Sequence, residues 1–125
     1  MKFLTRDQII SIHEDLINEF GGIHGLRDEG MLDSALSAPF QSFGNQELYP
    51  GIVDKAARLC YGLVQNHPFL DGNKRIGTMA MLIYLDQNNL ALNCKEDELT
   101  QIILLVADGT IDNQQLSLWI LQHLD

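Results

Sequence analysis

The residues of this chain with the types and spacing for chemistry lie in one stretch, HPFLDGNKR, at positions 67 to 75. Histidine, here His67, is the side chain whose ordinary pKa suits proton transfer near neutrality. Asp71 offers a hard oxygen ligand of the kind Mg²⁺ takes. Lys74, the Arg75 fork, the Asn73 amide and nearby backbone N–H groups together make a cradle for phosphate. A base, a metal ligand and a phosphate cradle this close together describe phosphoryl or nucleotidyl transfer to a hydroxyl.

The placement of the cations sharpens that reading. Lys74 and Arg75 stand at the start of a helix predicted over 73 to 87, where the macrodipole is positive and acidic residues are the usual choice. A bound anion would resolve the conflict, and a local rule broken at such a place points to function. Each residue also has a plainer role. His67-Pro68 ends the preceding helix, Asp71 or Asn73 caps the next one, and Lys74 and Arg75 are solvated charges. Phe69 is a core anchor under either reading.

Helical periodicity supplies the elements that must hold this stretch. Residues 5 to 20 place Ile9, Ile12, Leu16, Ile17 and Phe20 on one stripe, with Thr5 and Gln8 as a capping box and Gly21-Gly22 as a stop. A short helix follows Asp28, with Met31, Leu32, Ala35 and Leu36 inward, and ends before Pro39. Residues 40 to 51, FQSFGNQELYPG, have no helical period and read as a surface loop or small hairpin. The next helix runs over 52 to 65, with Asp54, Arg58 and Gln65 outward. The helix over 73 to 87 is apolar on nearly every face, the pattern of a central element. Glu96, Asp97 and Glu98 open a fifth helix that stops at Gly109, and Asp112 caps a last one carrying Leu116, Trp119 and Ile120 inward. The fold class is therefore all-α: one domain over residues 1–125, a bundle of about six helices with a central apolar helix and a small flap loop or hairpin.

Composition narrows the partners. Seventeen Asp and Glu against eight Lys and Arg give a net charge of −9, a poor match for nucleic acid or an anionic membrane. No apolar window reaches the roughly 18 residues of a membrane span, and the start, MKFLTRDQ, is not a signal peptide. The expected compartment is cytoplasmic. Cys60 and Cys94 form no CxxC pair and read as buried thiols rather than a disulfide. No Cys and His spacing supports a zinc site. His13, on the apolar stripe of the first helix, reads as a hydrogen-bonded core histidine, and His123 suits the negative end of its helix. Arg58 is either a surface charge or a group reaching the phosphate loop.

HPFLDGNKR resembles the signature of the Fic/Doc family, and its Asn-Lys-Arg ending resembles the Doc (death-on-curing) branch, whose pattern is loosely His-x-Phe-x-Asp-x-Asn-Lys-Arg. The likeness extends from GLRDEGMLDSAL through LYPG to the C-terminal helices. It implies a compact helical toxin of a toxin–antitoxin pair that uses ATP and Mg²⁺ to phosphorylate a threonine of elongation factor Tu and so stops translation. By position, the resemblance makes His67 the base and Asp71 the Mg²⁺ ligand. Gly72, Asn73, Lys74 and Arg75 become the phosphate-binding set, with Asp71, Lys74 and Arg75 counted beside His67 as catalytic. Residues 40 to 51 fall where the family has a flap that docks the target against the site.

The departures bear on which group moves. Family members that transfer AMP read Gly-Asn-Gly-Arg with a second Arg three places on, whereas Lys74 replaces that second Gly and Thr78 stands at the second Arg. Pro68 and Gly72 nonetheless match that branch, so AMP transfer remains the alternative to phosphate transfer. A catalytically silent binding module on the same fold is a further alternative. The family's self-inhibiting Ser/Thr-x-x-x-Glu-Gly/Asn segment has only a near miss, Glu29-Gly30 preceded by Gly25. Restraint is therefore expected from another chain, an antitoxin whose disordered tail folds on binding.

Overall fold

The computed structural model describes residues 3–125. Among the described residues six helices carry the fold: α1 (Arg6–Phe20), α2 (Glu29–Ser37), α3 (Ile52–Asn66), α4 (Asn73–Gln87), α5 (Glu96–Ala107) and α6 (Asn113–Gln122). A 3₁₀ turn, Ala38–Phe40, follows α2 and carries the Pro39 that α2 could not continue through. The only sheet among the described residues is a hairpin of β1 (Ser42–Phe43) and β2 (Gln46–Glu47), antiparallel, with Phe43 opposite Gln46. Among the described residues, no helix is long and apolar enough to cross a membrane.

The ends of the helices follow the cap chemistry in the sequence. Thr5 and Gln8 bond reciprocally at the start of α1, and Asp112 and Gln115 do the same for α6. The Asp28 side chain accepts from the N–H of Met31 to open α2. Gly21 ends α1 at φ 86°, a conformation that costs a side-chain-bearing residue most.

The helix at the centre is α3 rather than α4. Nine of its residues are buried, against six in α4, and it packs against α2, α4, α5 and α6. The physical reason is side-chain size along its crossings. Gly62 lies so close to Ala35 of α2 that an added Cβ would sit 3.2 Å from it. Gly77 of α4 meets Val64 and the Cys60 carbonyl of α3 more tightly still, with a Cβ there falling 2.7 Å from Val64. Small residues at these crossings let α3 and α4 run together as a hairpin whose turn is residues 67 to 72. Leu63 and Ile76 are fully buried in the seam, each contributing about 1.5–3 kcal/mol of burial.

Two inward assignments change. Phe20, at the end of the α1 stripe, is 60% exposed, and Met31 is exposed as well. Each lies within a turn of its helix's end, where the stripe has run past the neighbouring helix. Cys60 is buried, its thiol pushed up to about 12 by the loss of water around it, and Cys94 is half-buried; both are free.

Candidate active site

His67 closes α3 and begins the signature loop. Its backbone is left-handed, φ 48° and ψ 55°, a conformation of low population for a non-glycine residue and a common helix stop. The ring turns back on the helix, with Nδ1 2.9 Å from the Val64 carbonyl. A carbonyl only accepts, so Nδ1 carries a proton, and in the neutral ring the lone pair is then on Nε2. That is the tautomer a general base needs.

The loop is held by backbone pairing to the segment after α1. Leu26 and Phe69 form an antiparallel bridge, Leu70 donates to the Gly25 carbonyl, and Arg27 and Asp28 both donate to that of Pro68. Phe69 is the expected anchor, 2% exposed. The close approach uses the glycines: a Cβ on Gly22 would lie 2.7 Å from Asp71 Oδ2, and one on Gly25 3.0 Å from Leu70.

Asp71 is held at both oxygens. Oδ2 accepts from the N–H of Ile23 at 3.0 Å and Oδ1 from that of Gly72 at 2.8 Å. These N–H groups, that of Ile23 foremost, hold its carboxyl below the usual aspartate range, and Arg75 adds to the effect. The side chain is therefore ionised and exposed, with a lone pair still open on each oxygen. Among the described residues no cluster of three His, Cys, Asp or Glu side chains is placed to hold a metal ion. A single exposed carboxylate beside two cations nevertheless fits Mg²⁺ arriving with a polyphosphate, since that ion keeps waters and shares phosphate oxygens.

Asn73 turns inward. Its Oδ1 accepts from the Phe69 N–H and its Nδ2 donates to the Phe69 carbonyl, both at 3.0 Å. The carboxamide thus locks the loop, and what Asn73 presents toward an anion here is its backbone N–H. Neither Asp71 nor Asn73 caps α4. The N-cap is Gly72, at φ 76°, which has no side chain to take the first-turn N–H groups.

The two cations diverge. Among the described residues neither takes part in an ion pair, although the chain holds seventeen carboxylates. Arg75 lies over the Phe20 ring, 5.2 Å from its centroid, and donates one N–H to the Gly21 carbonyl at 3.3 Å. The negative end of α1 thereby offsets part of the dipole conflict at α4. Lys74 is exposed. Both border a pocket of about 540 Å³ lined also by His67, Leu70, Asp71, Gly72, Asn73 and Ala107. All six site residues read from the sequence thus meet in one pocket.

An imidazole held through Nδ1, an ionised carboxylate and two cations outside the ion pairs of the described residues, around one pocket, have the chemistry to activate a hydroxyl beside a polyphosphate. Residues 3–85 match the sequence profile of the Fic/DOC family. The chain belongs to the Fic/DOC family. Among its relatives, a protein named "Toxin Doc" from Mycolicibacterium smegmatis is 40% identical over 73 residues, 58% of this chain. That match spans little more than half of the relative's own length, 56%. "Protein kinase doc" of Escherichia phage P1 is 22% identical over 111 residues, covering 89% of this chain and 86% of that one. The resemblance to the Doc branch of the Fic/DOC family thus extends well beyond the signature loop.

Two features of this Fic/DOC chain differ from the sequence reading. The hairpin does not border the pocket. Lys55, 1% exposed, bonds its ammonium to the Tyr49 carbonyl and to Glu47, which pins the hairpin to the first turn of α3. His67 stands at the other end, about 20 Å away at 1.5 Å per residue. The flap expected over the site is therefore at the far end of α3. Tyr49 is an anchor, its ring under Arg58, while Phe43 is 83% exposed. Arg58 rests on Tyr49 and Tyr61 and does not border the pocket at the signature loop.

The second feature is Arg27, which sequence reasoning passed over. Its guanidinium donates to the carbonyls of Asn66 and His67. The signal was faint: one cation in a glycine-rich segment of an acidic chain. His13 is the hydrogen-bonded core histidine expected, 3% exposed, and its partner is the carbonyl of Asp71. His123 closes α6 with Nδ1 on the Trp119 carbonyl.

Proposed function

We propose that this chain is the toxin of a toxin–antitoxin pair, a phosphotransferase that moves the γ-phosphate of ATP to a Ser/Thr hydroxyl of a translation protein resembling elongation factor Tu, and so inhibits translation. The observation that carries the reading is the shared pocket: His67, whose Nδ1 is taken by the Val64 carbonyl, borders the same space as Lys74 and Arg75, neither in an ion pair among the described residues. The names of the two relatives, a toxin and a protein kinase, support the same assignment.

In this reading His67 Nε2 takes the proton of the target hydroxyl as its oxygen bonds to the γ-phosphorus. The bond from that phosphorus to the β–γ bridging oxygen breaks, and ADP leaves. Lys74, the free N–H groups of Arg75 and the first-turn amides of α4 hold the phosphate oxygens in place. Mg²⁺, when bound, neutralises phosphate charge; Asp71 is the side chain that would hold it. An antitoxin with a segment that folds on binding would restrain the enzyme.

The exposed Lys74 side chain at the position of the AMP-transferring branch's second glycine favours phosphate over AMP. Parallel reactions with γ- and α-labelled ATP, Mg²⁺ and purified elongation factor Tu test this, with His67→Ala as control. Label from the γ position alone, lost in the variant, is expected. Label from the α position instead makes the chain an AMP transferase. Silence from both, at high enzyme concentration, removes elongation factor Tu as target and favours a silent binding module.

A further inference from the structure

His13 lies on α1, 58 positions before Asp71 and outside the signature stretch, yet three of the loop's residues touch it. Its Nε2 is 2.7 Å from the Asp71 carbonyl. Its ring stacks on Phe69 with centroids 3.8 Å apart and planes 9° from parallel. Gly72 lies beside it, where an added Cβ would fall in ordinary van der Waals contact with Nε2, at 3.5 Å.

The peptide group between Asp71 and Gly72 gives this contact its consequence. A peptide is planar, so fixing its carbonyl fixes its N–H. The carbonyl accepts from His13, and the N–H, that of Gly72, donates to Asp71 Oδ1. The Ile23 N–H then takes Oδ2. One imidazole therefore sets the plane that aims the carboxylate. Because the carbonyl can only accept, His13 carries its proton on Nε2. Burial lowers its pKa, consistent with a neutral ring.

We propose that His13 is a positioning residue for the phosphotransfer site, orienting Asp71 through the 71–72 peptide and so setting the affinity for metal-bound nucleotide. The proposal rests on the reading of Asp71 as the metal ligand. Leucine at position 13 keeps bulk against Phe69 but donates nothing, whereas glutamine places an amide N–H near the site of Nε2.

Mn²⁺ with ATP is the probe, its binding to the full chain followed by the electron paramagnetic resonance of free Mn²⁺, and helix content by circular dichroism. His13→Leu is expected to bind Mn²⁺·ATP about tenfold more weakly than the parent, the scale of one hydrogen bond lost. His13→Gln is expected to restore most of that loss. Binding lost in Asp71→Asn but kept in His13→Leu overturns this inference alone. So does a loss in His13→Leu that His13→Gln fails to repair. Binding unchanged in Asp71→Asn, or absent from the parent, removes the metal reading and this inference with it. Should His13→Leu lose its helix content, His13→Gln and His13→Asn decide in its place. Asparagine is too short to reach the Asp71 carbonyl, so equal affinities in those two folded variants overturn the proposal.

Discussion

Arg27 holds the end of α3 by two carbonyls, its Nε donating to that of His67 at 2.5 Å and its Nη2 to that of Asn66 at 2.9 Å. A helix C-terminus leaves its last carbonyls without partners and carries a partial negative charge, so a planar cation with two parallel N–H groups matches it. The main chain at the same place is tied as well, through the N–H groups of Arg27 and Asp28 on the Pro68 carbonyl. The backbone that presents the His67 ring is thus fixed from outside its own helix.

Arg27→Met is expected to lower the free energy of unfolding by about 1 kcal/mol, since the bonds are charge-assisted but solvent-exposed. Phosphotransfer should fall by more than this loss explains, because the backbone that presents His67, the proposed base, is released. Arg27→Lys should recover little of either, a point charge being unable to fork across two carbonyls. Urea denaturation alongside initial transfer rates measures both.

His67 is held in a left-handed conformation that costs a non-glycine residue roughly 1–2 kcal/mol. His67→Gly relieves that cost and loses the ring's bond to the Val64 carbonyl, so its melting temperature should match or exceed the parent's. Transfer should fall at least ~100-fold, the low end for loss of a general base. A large drop in melting temperature would show that the ring is there for structure instead.

The Asp71 carboxyl is held below its ordinary range chiefly by the N–H of Ile23, then that of Gly72. Its folded pKa is lower than its unfolded one, so its contribution to stability is complete above the ordinary aspartate value of about 3.9. It is lost as the pH falls through the lower folded value. Asp71→Asn should therefore flatten the fall in stability below about pH 4 and leave the neutral range without pH dependence of its own. Urea midpoints of both proteins across that range check the sign.

Lys55 ties the hairpin to α3 through the Tyr49 carbonyl and Glu47. Lys55→Met should free the hairpin, and limited proteolysis should then cut within residues 41 to 48 faster than in the parent. Binding of Mn²⁺·ATP should not change, because the hairpin lies at the end of α3 away from His67. Weaker nucleotide binding in that variant would mean that the hairpin and the signature loop are coupled.

The sequence by itself determined the helices, the caps of three of them and the grouping of the site. Period and cap chemistry are local: Thr5 with Gln8, Asp28 with Met31 and Asp112 with Gln115 act within one turn, so the start of α1, α2 and α6 could be read from neighbours in the chain. His67, Asp71, Gly72, Asn73, Lys74 and Arg75 are also near neighbours, and a nine-residue span leaves them little room to part.

Only the tertiary structure decided which partner each polar group took. The apolar stripe of α1 showed that His13 faces inward, but its bond to the Asp71 carbonyl depends on how α1 crosses the loop. The Asn73 amide faces Phe69 rather than the pocket because the loop's own backbone needed a donor and an acceptor there. Arg75 found the open end of α1, and Phe20 went outward to lie beneath it. The hairpin went to the far end of α3 because buried Lys55 holds it there. Periodicity fixes a face of a helix; it carries no information about what that face meets, which is set by the crossings that Gly62 and Gly77 permit.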